Sequence, residues 1–222
     1  MTCRTIGRGA LALLLVGVPL AGASAGTPIA TAGGTVSVQA LVGRPAPDFT
    51  LKDTDGQEQQ LSRYLAERKL VVLEWFNPDC PFVRRHHERD QTMERLLGQY
   101  GGPGVVWLAI NSGAPGKQGA GLERNVQAKQ DYGIDYPILL DTAGRVGRMY
   151  GAKTTPHMFV IRPDGVLIYV GAIDDDPRGE MDVTQRRNYV GEALEAGLKG
   201  KAPNTGRTTA YGCTVKYGPI EM

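Results

Sequence analysis

The stretch from Leu70 to Val83, LVVLEWFNPDCPFV, constrains this chain more than any other: an apolar run that ends in a cysteine poised to open a helix. Val71, Val72, Leu73, Trp75 and Phe76 make the run nearly continuous and rich in β-branched and aromatic residues, as expected of a strand covered on both faces. Asn77, Pro78 and Asp79 break it. Pro81 fixes φ near the helical value and lacks only an N–H that a first helical turn leaves unpaired, so Cys80 falls at the N-cap. A thiol there meets unpaired amides and the positive end of the helix dipole, which favours thiolate; Arg84 and Arg85 add to the effect and Asp79 opposes it. The competing reading makes Cys80 a small buried hydrophobe or half of an inert disulfide.

Arg4 and Arg8, the apolar segment Ala10–Leu20 and the small residues Ala23-Ser24-Ala25 form the pattern of a secretory leader (residues 1–25) cut before Gly26. The apolar segment is too short to cross a bilayer, which needs roughly 20 such residues, so stable membrane insertion is not expected. The chain reads as exported, and periplasmic where the cell has two membranes. Loss of the leader removes Arg4 and Arg8, leaving 23 basic against 23 acidic residues. A neutral domain gives no electrostatic case for nucleic acid or an anionic membrane. Cys80 and Cys213 remain, in an oxidising compartment.

Residues 26–41 read as a linker, 42–200 as one domain and 201–222 as a tail carrying Cys213. Pro45, Phe49, Leu51, Asp53, Gly56 and Leu61 space out as a hairpin about Asp55-Gly56, leading into a short helix over 61–67. The helix opened by Cys80 has two halves. Arg84 to Asp90 is charged and predicted to face solvent, whereas Met93, Leu96, Leu97 and Tyr100 recur at helical spacing and face the core. His86 and His87 point about 100° apart on a helix, which argues against a shared metal. Strands are predicted over 105–110 and 136–140, with helices over 122–132 and 145–150. A further strand, 154–161, contains Pro156 near its start, and Arg162-Pro163-Asp164-Gly165 turns into a return strand, 166–170. The acidic run Asp174–Asp176 lacks calcium-loop spacing and reads as a loop capping a last helix over 184–199. In the tail, Cys213, Val215 and Tyr217 alternate as a short extended segment laid back on the domain. Strands alternating with helices, without repeats, make this an α/β domain.

Taken in order, FNPDCPFV, TTPHMFVI with the following GAIDD loop, and GCTVKY resemble the redoxins of the alkyl hydroperoxide reductase and thiol-specific antioxidant superfamily, in a peroxiredoxin-like subgroup, over Val42–Tyr217. The resemblance implies a thioredoxin-like fold: a central mixed β-sheet flanked by helices, an N-terminal hairpin and an extended C-terminal tail. It implies a cis bond at Thr155-Pro156 beside the reactive cysteine, where the Thr155 backbone pairs with a bound substrate chain. His157 follows this motif and faces the site or the reverse side, depending on strand alternation. Peroxiredoxins of this superfamily use P-x-x-x-T-x-x-C, and here Leu73 and Asn77 replace the proline and threonine; disulfide oxidoreductases use C-x-x-C, and here Val83 replaces the second cysteine.

These residues predict a thiol-dependent oxidoreductase without cofactor or metal. Cys80 attacks, Cys213 resolves, and Thr155, Pro156, Arg84 and His157 shape the substrate site. The substrate is a peroxide or a protein disulfide or thiol, with a thioredoxin-like reductant. Two other readings remain open: a redox-inert binding module stapled by a Cys80–Cys213 disulfide, and a copper carrier using Cys80, Cys213 and His157.

Overall fold

A computed structural model describes residues 39–219. The predicted leader, most of the predicted linker and the last three residues of the predicted tail lie outside that range. Among the described residues no helix is long and apolar enough to cross a membrane.

The Leu70–Trp75 run forms β3, buried along its whole length. It is the middle strand of a five-stranded sheet ordered β5-β4-β3-β7-β8. The other strands are β4 (Val105–Asn111), β5 (Ile138–Leu140), β7 (Met158–Ile161) and β8 (Leu167–Gly171). β3 runs parallel to β4, with Leu70 opposite Val105, and antiparallel to β7, with Leu73 opposite Phe159. The sheet is therefore mixed, and its central strand is covered on both sides.

Alternation along β3 divides the core in two. Leu70 and Val72 face a cluster with Phe76, Cys80, Met93, Met158, Val190 and Leu194. Val71, Leu73 and Trp75 face another with Phe49, Leu61, Val146, Tyr150 and Phe159. Helices α3 (Thr92–Tyr100) and α6 (Tyr189–Leu198) thus pack on one face, and α1 (Leu61–Ala66) and α5 (Arg145–Tyr150) on the other. Helix α4 (Leu122–Asp131) sends Ala128 into the first cluster. The predicted hairpin is formed by β1 (Thr50–Lys52) and β2 (Glu58–Gln60), and Asp53 holds its turn by accepting from the N–H groups of Asp55 and Gln57.

Three elements depart from the sequence reading. First, the helix opened by Cys80 is broken. Helix α2 (Pro81–Arg84) passes into a π-helical turn, Arg85–Arg89, closed by Asp90 N–H to Arg85 O, and Gln91 takes a left-handed φ of 44° before α3 begins. This turn overturns the solvent-facing assignment of the charged half: His86, His87 and Asp90 are buried. The two histidines are buried against different partners, His86 on Thr92 and Tyr211 and His87 on Glu74 and Glu94, so both sides of the turn are covered. Second, the segment 154–161 is two strands. β6 (Thr154–Thr155) ends at a cis Thr155-Pro156 bond, β7 starts at Met158, and β6 pairs not with the main sheet but with β9 (Cys213–Thr214) of the tail. Third, α6 starts at Tyr189, capped by the Asn188 side chain accepting from Gly191 N–H. The residues before it are held by the acidic loop: Asp175 accepts from Arg187 N–H, and Asp176 from the N–H groups of Gly179, Glu180 and Met181. Those aspartates therefore organise a loop ahead of the helix and do not cap it.

Candidate functional site

Cys80 sits at the carboxyl end of β3 as the N-cap of α2, with extended backbone and 1% exposure. Its Sγ donates to Thr155 O at 2.9 Å. The cis peptide at Thr155-Pro156 presents that carbonyl to the sulfur.

The same short strand brings in the second cysteine. In the β6–β9 ladder Thr155 is the register partner of Cys213, and the Thr155 hydroxyl donates weakly to Cys213 O at 3.5 Å. Cys213 is half-buried, packs against the cluster that contains Cys80, and both thiols are free. Burial, a hydrogen bond with the Cys80 side chain and the charge that Cys80 carries when it is a thiolate push Cys213 up to about 11, so it keeps its proton at neutral pH. Gly212 makes this approach possible. Its φ is 133°, and a Cβ there would lie 2.1 Å from Thr155 O.

The other predicted residues separate. The Arg84 guanidinium is largely exposed and pairs with Glu88 at 3.3 Å, so its charge is spent away from the thiol. His157 is buried on the opposite face: its ring lies 4.7 Å from that of Phe159, a member of the second cluster, whereas Cys80 belongs to the first. Strand alternation thus turns it away from Cys80, and the three ligands of the copper reading are not assembled. Burial, with Lys153 and Arg207 nearby, lowers His157 to about 4, so the ring is neutral. Asn77, at the position of the peroxide-activating threonine, is a loop brace. Its Oδ1 accepts from Asp79 N–H at 2.9 Å and its Nδ2 donates to Gln118 O at 3.1 Å.

Two polar networks flank the cysteines that the sequence reading did not find. The first is centred on Glu74, fully buried within β3. Its carboxylate accepts from Trp107 Nε1 at 3.0 Å and Tyr136 Oη at 3.3 Å and meets His87 Nε2 at 3.1 Å, while His87 Nδ1 meets Glu94 at 3.2 Å. Burial acts to lower His87, but Glu74 and Glu94 outweigh it and raise the ring to about 9, so it is a cation at neutral pH. A glutamate inside an otherwise apolar buried strand was the available signal, because a buried charge must be paired.

The second network ties down the tail two residues before Cys213. Tyr211 Oη accepts from Arg85 Nη2 at 3.1 Å, bonds with His86 Nε2 at 3.0 Å and donates to Asp174. Arg186 joins Asp90, Asp174 and Asp176 behind it. Burial would raise Asp90, but Arg89 and Arg186 hold it down to about 2; burial and the neighbouring Arg85 lower His86 to about 3. The π-helical turn, the acidic loop and the tail thus meet at one tyrosine.

A reactive-position cysteine at the end of a central strand, facing a cis-proline loop across a mixed sheet, defines a thioredoxin-like thiol oxidoreductase. The chain belongs to the Redoxin family, which matches residues 41–187. Among curated relatives, it is 31% identical over 132 residues to the thiol-disulfide oxidoreductase ResA of Halalkalibacterium halodurans, a match spanning 59% of this chain and 68% of that protein. It is 28% identical over 142 residues to the thiol:disulfide interchange protein DsbE of Escherichia coli, spanning 63% and 69%. Among solved structures, a hypothetical protein of Sinorhizobium meliloti superposes with a TM-score of 0.69 at 29% identity, covering 81% of this chain and 96% of that one.

Proposed function

We propose that this protein is an exported thiol–disulfide oxidoreductase in which Cys80 attacks and Cys213 resolves. The observation that supports it most is the shared partner: Cys80 Sγ bonds to the carbonyl of Thr155, and Thr155 is the register partner of Cys213. The Cys80 thiolate attacks one sulfur of a substrate disulfide, forming a Cys80–substrate bond and expelling the other substrate sulfur as a thiolate, which takes up a proton. Cys213 then loses its proton and attacks the Cys80 sulfur, forming the Cys80–Cys213 disulfide and releasing the second substrate thiol. The substrate gains two electrons and the cysteine pair loses them; an external dithiol, for which a thioredoxin-like protein is the natural class, returns them. Thr155 and Pro156 shape the contact surface. Disulfide substrates are favoured over peroxide because Asn77 is tied up bracing its loop and because the curated relatives are named for disulfide exchange. Export rests on the leader pattern of residues 1–25.

Cys213→Ser tests this against the stapled binding module. With a disulfide-bonded protein such as insulin, the variant should accumulate a mixed disulfide at Cys80, fail to turn over and melt near wild type. Were the pair only a staple, the substitution would give no adduct and remove roughly 4 to 5 kcal/mol of loop-closure stabilisation. That result would overturn the assignment.

A further inference from the structure

A cleft of about 470 Å³ opens beside β6 and β8, on the His157 side of the sheet and away from Cys80. Its walls come from the Gln39–Leu41 segment, the start of β6 and the Arg207–Ala210 stretch of the tail, and His157 contributes to its lining. Its volume lies within the roughly 300 to 1,000 Å³ of small-molecule sites. The charges on its lining are of one sign: Lys153 and Arg207 line it, and no Asp or Glu does. Neither cation's side chain makes an ion pair or hydrogen bond among the described residues, so both charges are free to meet a ligand.

The lining also offers a fixed neutral donor. His157 is 7% exposed, and its Nδ1 accepts from the Lys153 backbone N–H at 3.3 Å. A neutral imidazole accepting at Nδ1 carries its proton on Nε2. That N–H has no hydrogen-bond partner among the described residues and lies at the lining of the cleft. The hydroxyls of Thr154 and Thr208 are occupied, donating to Pro156 O and bonding with Tyr169 Oη and Ala172 N–H. The charged and ring groups left open in the cleft are all donors, an ammonium, a guanidinium and an imidazole N–H, beside the neutral side chains of Gln39 and Thr209, which can donate or accept. Ala40, Leu41, Val170 and Ala210 provide apolar surface beside it, and Leu41 is 48% exposed.

We infer that this cleft binds a small organic anion, a carboxylate or phosphate on an apolar body, with the oxyanion held by Arg207, Lys153 and His157 Nε2–H. Charge-assisted bonds to a guanidinium are the strong kind, and a planar guanidinium suits either oxyanion. The site is separate from the cysteine pair and is joined to it through two backbone segments: β6, whose Thr154 lines the cleft and whose Thr155 carbonyl meets Cys80, and the tail, whose Arg207–Ala210 stretch lines the cleft ahead of Cys213.

Isothermal titration of the purified protein with benzoate, phenyl phosphate and inorganic phosphate tests the assignment, with ¹⁵N spectra of the histidine side chains as a second readout. Saturable binding of benzoate or phenyl phosphate is expected, tighter than inorganic phosphate and weakened by salt, with His157 Nε2 shifting on saturation. The stronger of the two organic probes identifies the headgroup. Arg207→Gln and Lys153→Gln change exposed side chains. Each should weaken that binding by at least ~10-fold, the loss of one charge-assisted hydrogen bond. No saturable binding by either organic probe, or binding unchanged in the Arg207→Gln, Lys153→Gln double variant, overturns the proposal. Reduction of insulin measured on the same samples keeps the two conclusions apart, since loss of anion binding should leave it intact.

Discussion

Replacing His87 by leucine would strip the buried Glu74 carboxylate of its cation while leaving the bonds from Trp107 and Tyr136 in place. Breaking one side of a buried pair costs roughly 3 to 5 kcal/mol. Titration gives a consistent figure: raising His87 from 6.5 to about 9 corresponds to about 3 kcal/mol of differential interaction. The folded-state value is raised, so this stabilisation is complete below pH 6.5 and is lost as pH climbs through 9. Wild type should therefore lose about 3 kcal/mol of unfolding free energy between pH 6 and pH 10 from this group, measured by urea titration at each pH. His87→Leu should be flatter over that interval and less stable at pH 6, with a melting temperature lower by roughly 6 to 20 °C for a domain of this size. Phe76 packs edge-on and Tyr132 stacks on the imidazole, so leucine also loses aromatic contact. Glu74→Gln keeps those contacts and should flatten the same interval. A His87→Leu protein within ~1 kcal/mol of wild type at pH 6, or an unaltered alkaline slope in both variants, would refute the pairing argument.

Two further outcomes follow from the geometry. Gly212→Ala places a methyl against Thr155 O at a φ of 133°, so β9 should leave β6; the protein should stay folded, form the mixed disulfide at Cys80 at least as fast as wild type, and release it at least ~10-fold more slowly, as read by quenched-flow alkylation. On the acid side, His86 and His157 are lowered to about 3 and 4 and Asp90 to about 2, so the unfolded chain binds more protons throughout that range. Stability should fall as pH drops from 6.5, which together with His87 puts the maximum near neutrality; urea midpoints that rise on acidification from pH 6 to pH 4 would contradict these directions.

What the sequence disclosed and what it hid divide along a physical line. The β3 run, the hairpin at Asp55-Gly56, the N-cap position of Cys80 and the tail strand at Cys213 were all legible, because each rests on local periodicity or on a backbone-restricting residue. The π-helical turn was not, since nothing in RRHHERD marks one extra residue per turn; the burial of His86 and His87 depends on partners far along the chain, at Tyr211 and Glu74. Arg84 could be placed near the thiol by helix position alone, and its i,i+4 spacing to Glu88 was the legible sign of the partner that draws its charge away. His157 turned on the parity of a strand interrupted by a cis-proline, and parity cannot be read through such a break.

The β6–β9 ladder means that this protein carries a ligand it can never dilute. The backbone edge at Thr154 and Thr155 is already filled by the chain's own Cys213 and Thr214. An incoming substrate segment that uses that edge competes with a tethered rival whose local concentration is set by the preceding loop, on the order of millimolar for a short link. Apparent substrate affinity is then the intrinsic value reduced by the fraction of time the edge stands vacant. On the proposed mechanism, the contact that holds Cys213 ready to resolve would also set a threshold below which casual encounters with folded proteins leave no adduct.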